Sequence, residues 1–214
     1  MRIMALMQKL ESHRWTTDAY DRMVAHGVSS PGDRVELIDG EVVNITPQGS
    51  AHITAVLLVH QRLQQAFGAG FHVRPHASLA ADPLSEPEPD VSVVRGAVRD
   101  YAACHPTARD TVLVVEVSDS SLEYDRVTKG SLYARAGIPE FWIVNLIDLQ
   151  LEIHRKPRPD SAARFGWGYA EQVRVAPGHS ASPLGTPSAA VAVCDLLPSL
   201  NLPPDADSSP ERRD

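Results

Sequence analysis

Glu116 interrupts the run Thr111-Val112-Leu113-Val114-Val115-Glu116-Val117, whose near-continuous apolar character reads as a strand buried on both faces. A carboxylate in that setting must be paired, desolvated or bound to a cation, because an unpaired buried charge is very costly. Asp90 opens a second β-rich run, Asp90-Val91-Ser92-Val93-Val94. If these two strands are antiparallel neighbours, their acidic ends meet at one edge of a sheet. Two convergent carboxylates with room for water suit Mg²⁺, a hard cation that prefers oxygen ligands and keeps several waters.

Each of these residues also has a plainer reading. Aspartate after proline is common in turns, and the chain has three such pairs, at Pro89, Pro159 and Pro204. Glu116 could pair with an arginine such as Arg109 or Arg126. Lys129 follows Asp125 by four residues on an expected helix, the spacing of a surface ion pair. Glu36 could pair across a hairpin. The nine histidines show no His-Glu-x₂-His arrangement for zinc. His60 sits on an apolar helical stripe, as core histidines do, whereas His52 could face a cleft. Ser118, Ser120 and Ser121 lack the Gly-x-Ser-x-Gly elbow of a nucleophile and read as helix-capping residues. No phosphate loop of the Gly-x₄-Gly-Lys-Ser/Thr type is present.

The elements that would position these side chains follow from pattern. A short helix is expected over Thr16 to Gly27, with Tyr20, Met23 and Val24 as its apolar stripe. Val35 to Val43 carries the Asp39-Gly40 dipeptide of a two-residue type I′ hairpin. Ser50 can cap a second helix, with Ile53, Val56, Leu57, His60, Leu63 and Phe67 at helical spacing and Gly68 at its end. Phe71 to Arg74 reads as a strand. A helix is expected from Ser120 or Ser121 to about Ala136, closed by Gly137 and Pro139. The strand Phe141 to Val144 then turns into a hairpin partner over Leu149 to His154. After Pro157 the signal weakens, with strands near Tyr169 to Val175 and Ala189 to Val193. The expected class is α/β: one domain over 16–202 around a mixed sheet, an N-terminal extension over 1–15, and a tail over 203–214 too polar to pack.

Composition narrows the function classes. With 214 residues and 43% apolar content, the chain can bury a substantial core. No run approaches the roughly 20 apolar residues of a membrane span, and the first residues lack the apolar stretch of a signal peptide. A cytoplasmic protein is expected. Cys104 and Cys194 stand far apart and read as buried thiols in a reducing compartment. The formal charge of −7, from 20 Lys and Arg against 27 Asp and Glu, weighs against a nucleic-acid partner. Such affinity comes largely from cationic side chains displacing counterions. A partner of that kind would need a local basic surface.

Three segments together, RVELIDGEVV, PEPDVSVVR and LVVEVSDSSLEYDRVTKGSLYARAGIPEFWIV, resemble the Uma2-like (DUF820) proteins of the PD-(D/E)xK nuclease superfamily. The resemblance runs from about Thr16 to Arg155. It implies a restriction-endonuclease-like fold, a mixed β-sheet flanked by helices. The family motif of Pro-Asp followed by Glu-x-Lys falls on Pro89, Asp90 and Glu116, but Ser118 occupies the lysine position. The resemblance implies that the lysine has moved to the next helix, at Lys129, and that Glu36 is an additional acidic position. It further implies a Mg²⁺- or Mn²⁺-dependent endonuclease with Asp90, Glu116 and Glu36 as metal ligands. Lys129 would assist a metal-bound water or stabilise charge on phosphate. Nucleic acid, with DNA the expected form, is the implied partner, and a homodimer follows by analogy. The competing expectations are a catalytically inactive binding or assembly module of the same fold, and a hydrolase of a smaller phosphate ester.

Overall fold

The longest apolar run becomes the middle of the sheet. A computed structural model describes residues 12–28, 34–45 and 47–198. The tail expected over 203–214 and most of the extension expected over 1–15 lie outside the described residues. In chain order the elements are α1 (Thr17–Ala25), β1 (Val35–Ile38), β2 (Glu41–Asn44), α2 (Ser50–Phe67), β3 (Phe71–Pro75), β4 (Val91–Arg95) and β5 (Thr111–Ser118). There follow α3 (Leu122–Tyr124), a π-helical turn over Asp125–Lys129, α4 (Gly130–Arg135), β6 (Glu140–Asn145), β7 (Gln150–Pro159), β8 (Trp167–Val175), β9 (Ser180–Ala181) and β10 (Val191–Ala192). Short 3₁₀ turns span Val98–Tyr101 and Val193–Leu196.

Strands β3 to β8 lie side by side in chain order in one six-stranded sheet. Every neighbouring pair is antiparallel except β5 and β6, which are parallel. Parallel neighbours need a crossover, and α3, the π turn and α4 supply it. All eight residues of β5 are buried, as expected for a strand covered on both faces. Its alternation sends Leu113, Val115 and Val117 into the core under α2, with Val56, Val59 and Leu63. Val114 faces the opposite core with Leu132, Tyr133, Phe141 and Ile143. Glu116 therefore projects on the side covered by α4.

The Asp39-Gly40 turn has positive φ at both residues, 50° and 82°, as a type I′ hairpin demands. The hairpin is tied to the segment preceding Asp90 by reciprocal backbone hydrogen bonds between Leu37 and Glu86. Thr16 caps α1, yet of the expected stripe only Tyr20 is buried, and Val24 is exposed. In α2 the N-cap is Gly49, not Ser50. The buried face there is His52, Ala55, Val56, Val59, Leu63 and Phe67, while Ile53 and Leu57 are exposed and His60 is only partly buried. The helix is turned by about one position from the sequence stripe, which packs Ala55 and Val59 into the core and brings His52 to Asp90. Strand β7 continues through Pro157 and Pro159, paired with β8, beyond the hairpin expected to end at His154. Both cysteines are exposed, contrary to the buried expectation: Cys104 lies in the loop after β4 and Cys194 on a surface turn.

Candidate active site

Strands β4 and β5 are antiparallel, with Val91 opposite Val115, so the carboxylates of Asp90 and Glu116 meet. The contact is reciprocal: the Asp90 backbone N–H donates to Glu116 Oε2 at 3.1 Å, and the Val117 N–H donates to Asp90 Oδ2 at 2.8 Å. Lys129 enters from the π turn, with Nζ 2.6 Å from Glu36 Oε2 and 3.4 Å from Glu116 Oε1. It thereby bridges the hairpin and the sheet. All four side chains are buried. They open on a cleft of about 380 Å³, also lined by Arg34, Gln48, His52 and Tyr124.

The plainer pairings do not form. Arg126 binds Glu152 in a two-pronged contact, and Arg109 is exposed on a loop. Asp125, one turn before Lys129, accepts hydrogen bonds from Ser118 at 2.7 Å and Ser121 at 2.6 Å. The serine at the family's lysine position thus anchors the helix that carries the lysine. Those two serines hold a carboxylate and do not cap α3: Ser121 is the N-cap residue but makes no capping bond.

His52 faces the cleft as the sequence suggested, whereas Tyr133, Gln48 and His76 escaped sequence reasoning. Tyr133 donates to Glu116 Oε1 at 2.6 Å. Gln48 Nε2 donates to Asp90 Oδ1 at 2.9 Å, and His52 Nε2 lies 3.1 Å from the same oxygen. His76 Nδ1 is 3.6 Å from it. Asp125 and Tyr133 carried a usable signal, since both stand four residues from Lys129 and share its helical face. Gln48 and His76 lie in irregular segments and offered none.

The electrostatics follow from crowding four carboxylates around one ammonium. Burial pushes Glu116 well above the ordinary carboxylate range against the pull of Lys129, with Asp90 and Asp125 adding to the rise. Burial also opposes ionisation of Asp90, but His52 and the Val117 N–H outweigh it and hold that carboxyl low. Burial would lower Lys129, yet Glu116 and Glu36 keep it firmly charged. The two β-strand carboxylates are therefore driven apart in acidity, a pattern found at acid–base sites.

A hard divalent cation fits the donor set. Asp90 and Glu116 present oxygens at one strand edge, and Gln48 Oε1 is a buried oxygen with no hydrogen-bond partner beside them. Among the described residues no three His, Cys, Asp or Glu side chains form a ready metal cage. Magnesium is commonly held by one or two carboxylates with waters and phosphate oxygens completing its shell. Glu36, expected as a third ligand, gives Oε2 to Lys129 and to the Glu88 N–H, the latter at 3.2 Å.

A mixed sheet flanked by helices, with carboxylates converging from the ends of adjacent strands and a lysine on the crossover helix, defines a nuclease-like α/β class. A family model described as Uma2, "putative restriction endonuclease", matches residues 17–193, and the chain belongs to the Uma2 family. Among solved structures, a "putative nuclease belonging to DUF820" from Anabaena variabilis ATCC 29413 aligns with a TM-score of 0.58 at 11% identity, covering 85% of this chain and 97% of that one. That likeness shows the shared fold. No curated protein matches the chain.

Proposed function

We propose that the protein is a metal-dependent endonuclease that hydrolyses phosphodiester bonds of nucleic acid, DNA in the first instance. The observation that carries this reading is the convergence of Asp90, Glu116 and Lys129, from three separate elements, on one cleft. Family membership supports the nuclease class. Asp90 and Glu116 would hold Mg²⁺ or Mn²⁺, with Glu36 as a further acidic group close by. Such an ion, when bound, polarises a phosphoryl oxygen and acidifies a coordinated water.

The chain's own residues prepare the rest. His52 and Gln48 orient Asp90, and Tyr133 orients Glu116. Glu36 steers the Lys129 ammonium towards Glu116, where it can donate to a phosphate oxygen as charge develops. A preorganised cation in a buried site is worth more than one in water.

The first measurement is a calorimetric titration of Mn²⁺ into wild type, Asp90→Asn and Glu116→Gln, followed by plasmid and small-diester cleavage assays. Wild type should bind and cleave, and both variants should lose both properties. Identical absence of binding and cleavage in all three proteins would put the non-catalytic assembly module ahead. Hydrolysis of small phosphate esters alone, with nucleic acid untouched, would favour the other alternative.

A further inference from the structure

An acidic chain that acts on nucleic acid needs a local cationic surface. Most guanidiniums that meet a carboxylate do so as pairs: Arg14 with Asp39, Arg34 with Glu88, Arg135 with Asp82, Arg155 with Glu140. Four arginines on β3, on β4 and in the segment that joins β4 to β5 make no ion pair among the described residues. They are Arg74 on the edge strand β3, Arg95 at the end of β4, Arg99 on the 3₁₀ turn that follows, and Arg109 before β5.

Contacts link Arg74, Arg95 and the Arg109 backbone, and Arg99 stands two residues before Tyr101 on the same 3₁₀ turn. The Arg74 guanidinium lies 5.7 Å from the centroid of the Tyr101 ring. The Tyr101 hydroxyl donates to the Arg95 carbonyl, and Arg95 Nη1 donates to the Arg109 carbonyl at 3.1 Å. Two carboxylates share the neighbourhood, both engaged by backbone: Asp100 accepts from the Ala97 N–H at 2.8 Å, and Asp110 accepts from Thr107. Four cations against two anions leave this surface positive on a chain whose total is −7. Arg95, Arg99 and Arg109 are exposed. Arg74 is half-buried, its Nη1 has no hydrogen-bond partner, and burial lowers its pKa. A partly desolvated cation without a counter-charge is costly unless an anion completes it.

Strand β3 also connects this patch to the cleft. Its alternation sets His72 and Arg74 on one face, and His76, just past its end, reaches Asp90. From Arg74 to His76 is about 7 Å along the strand, and from Arg95 back to Asp90 about 17 Å. That is the reach of a short run of nucleotides. We propose that Arg74, Arg95, Arg99 and Arg109 form a phosphate-binding surface that grips the nucleic-acid backbone beside the bond held in the Asp90–Glu116 cleft. The proposal rests on the phosphodiesterase reading of that cleft, and it assigns substrate holding to a surface apart from the cleavage site.

The test uses the full chain, a fluorescein-labelled single-stranded oligonucleotide, and anisotropy in EDTA over a salt series. The exposed double variant Arg99→Glu/Arg109→Glu should bind about tenfold more weakly. Its slope of log affinity against log salt should fall by about 1.4, for two lost phosphate contacts. The control Arg158→Glu, exposed on β7, should behave as wild type. Hydrolysis of bis-(p-nitrophenyl) phosphate should be equal in wild type and the double variant, because that small diester reaches only the cleft. Unchanged oligonucleotide binding in the double variant would overturn the patch while leaving the cleft reading intact. An equal loss in Arg158→Glu, or displacement by inorganic phosphate as effective as by unlabelled oligonucleotide, would also overturn it. Diester hydrolysis absent from wild type, with the patch effect present, would overturn the cleft reading alone.

Discussion

Replacing Lys129 with methionine keeps the aliphatic stem and removes the one ammonium of the cleft. Lys129 is 4% exposed, with carboxylate oxygens of Glu36 and Glu116 at 2.6 and 3.4 Å. At an effective dielectric near 20 these contacts amount to about 6 and about 5 kcal/mol of Coulomb energy, most of it offset by desolvation of the three groups. The relevant quantity is what remains when the cation alone is lost, and breaking a buried pair costs about 3–5 kcal/mol. The sign with pH follows from Glu116. Its folded pKa already lies above the ordinary value with Lys129 pulling it down, so losing Lys129 raises it further. A raised carboxyl keeps its contribution to stability at low pH and loses it as pH rises through the folded pKa. Lys129→Met should therefore cost less near pH 5 than at pH 8, where the loss reaches about 3–5 kcal/mol. Urea denaturation at both pH values measures this, and the double variant Lys129→Met/Glu36→Gln should recover part of the loss. Cleavage, assayed where the variant remains folded, should disappear while Mn²⁺ binding persists. A penalty below about 1 kcal/mol at pH 8, the ordinary worth of a surface pair, would refute the assignment of Lys129 as the compensating charge.

Two further perturbations test the frame around the site. Burial, then Asp21, raises Glu86 from 4.5 to about 7, so its contribution is present below about pH 4.5 and lost as pH rises through about 7. Glu86→Gln should gain about 2–3 kcal/mol over wild type at pH 8 and nothing near pH 4.5, read from thermal melts at the two pH values. Glu140 is fully buried and accepts from the Trp142 indole, the Arg155 guanidinium and the Leu184 N–H. Glu140→Ala strands all three donors, and the urea midpoint should fall by the equivalent of about 3–5 kcal/mol. An m-value unchanged from wild type would show that the loss is one of stability alone.

Local chemistry made a large part of this protein legible from its residues in order. Asp39-Gly40 determines a hairpin because both positions must tolerate positive φ. Gly68, at φ 62°, ends α2 for the same reason. The apolar run around Glu116 could only be an interior strand, and that alone marked Glu116 as a residue needing a partner. The choice of partner belonged to tertiary structure. Lys129 stands four residues from Asp125, the nearer carboxylate in sequence, yet it binds Glu36, 93 residues away. The reason is that Asp125 is engaged by Ser118 and Ser121 while the hairpin lays Glu36 over the crossover helix. The orientation of α2 was set in the same way. Ile53 and Leu57 fit the apolar spacing as well as Ala55 and Val59 do, and packing against the sheet, with His52 meeting Asp90, selected the buried face. Spacing encodes which residues share a face. Which face meets which is decided by packing between elements distant in the chain, and both the cleft and the arginine surface depend on it.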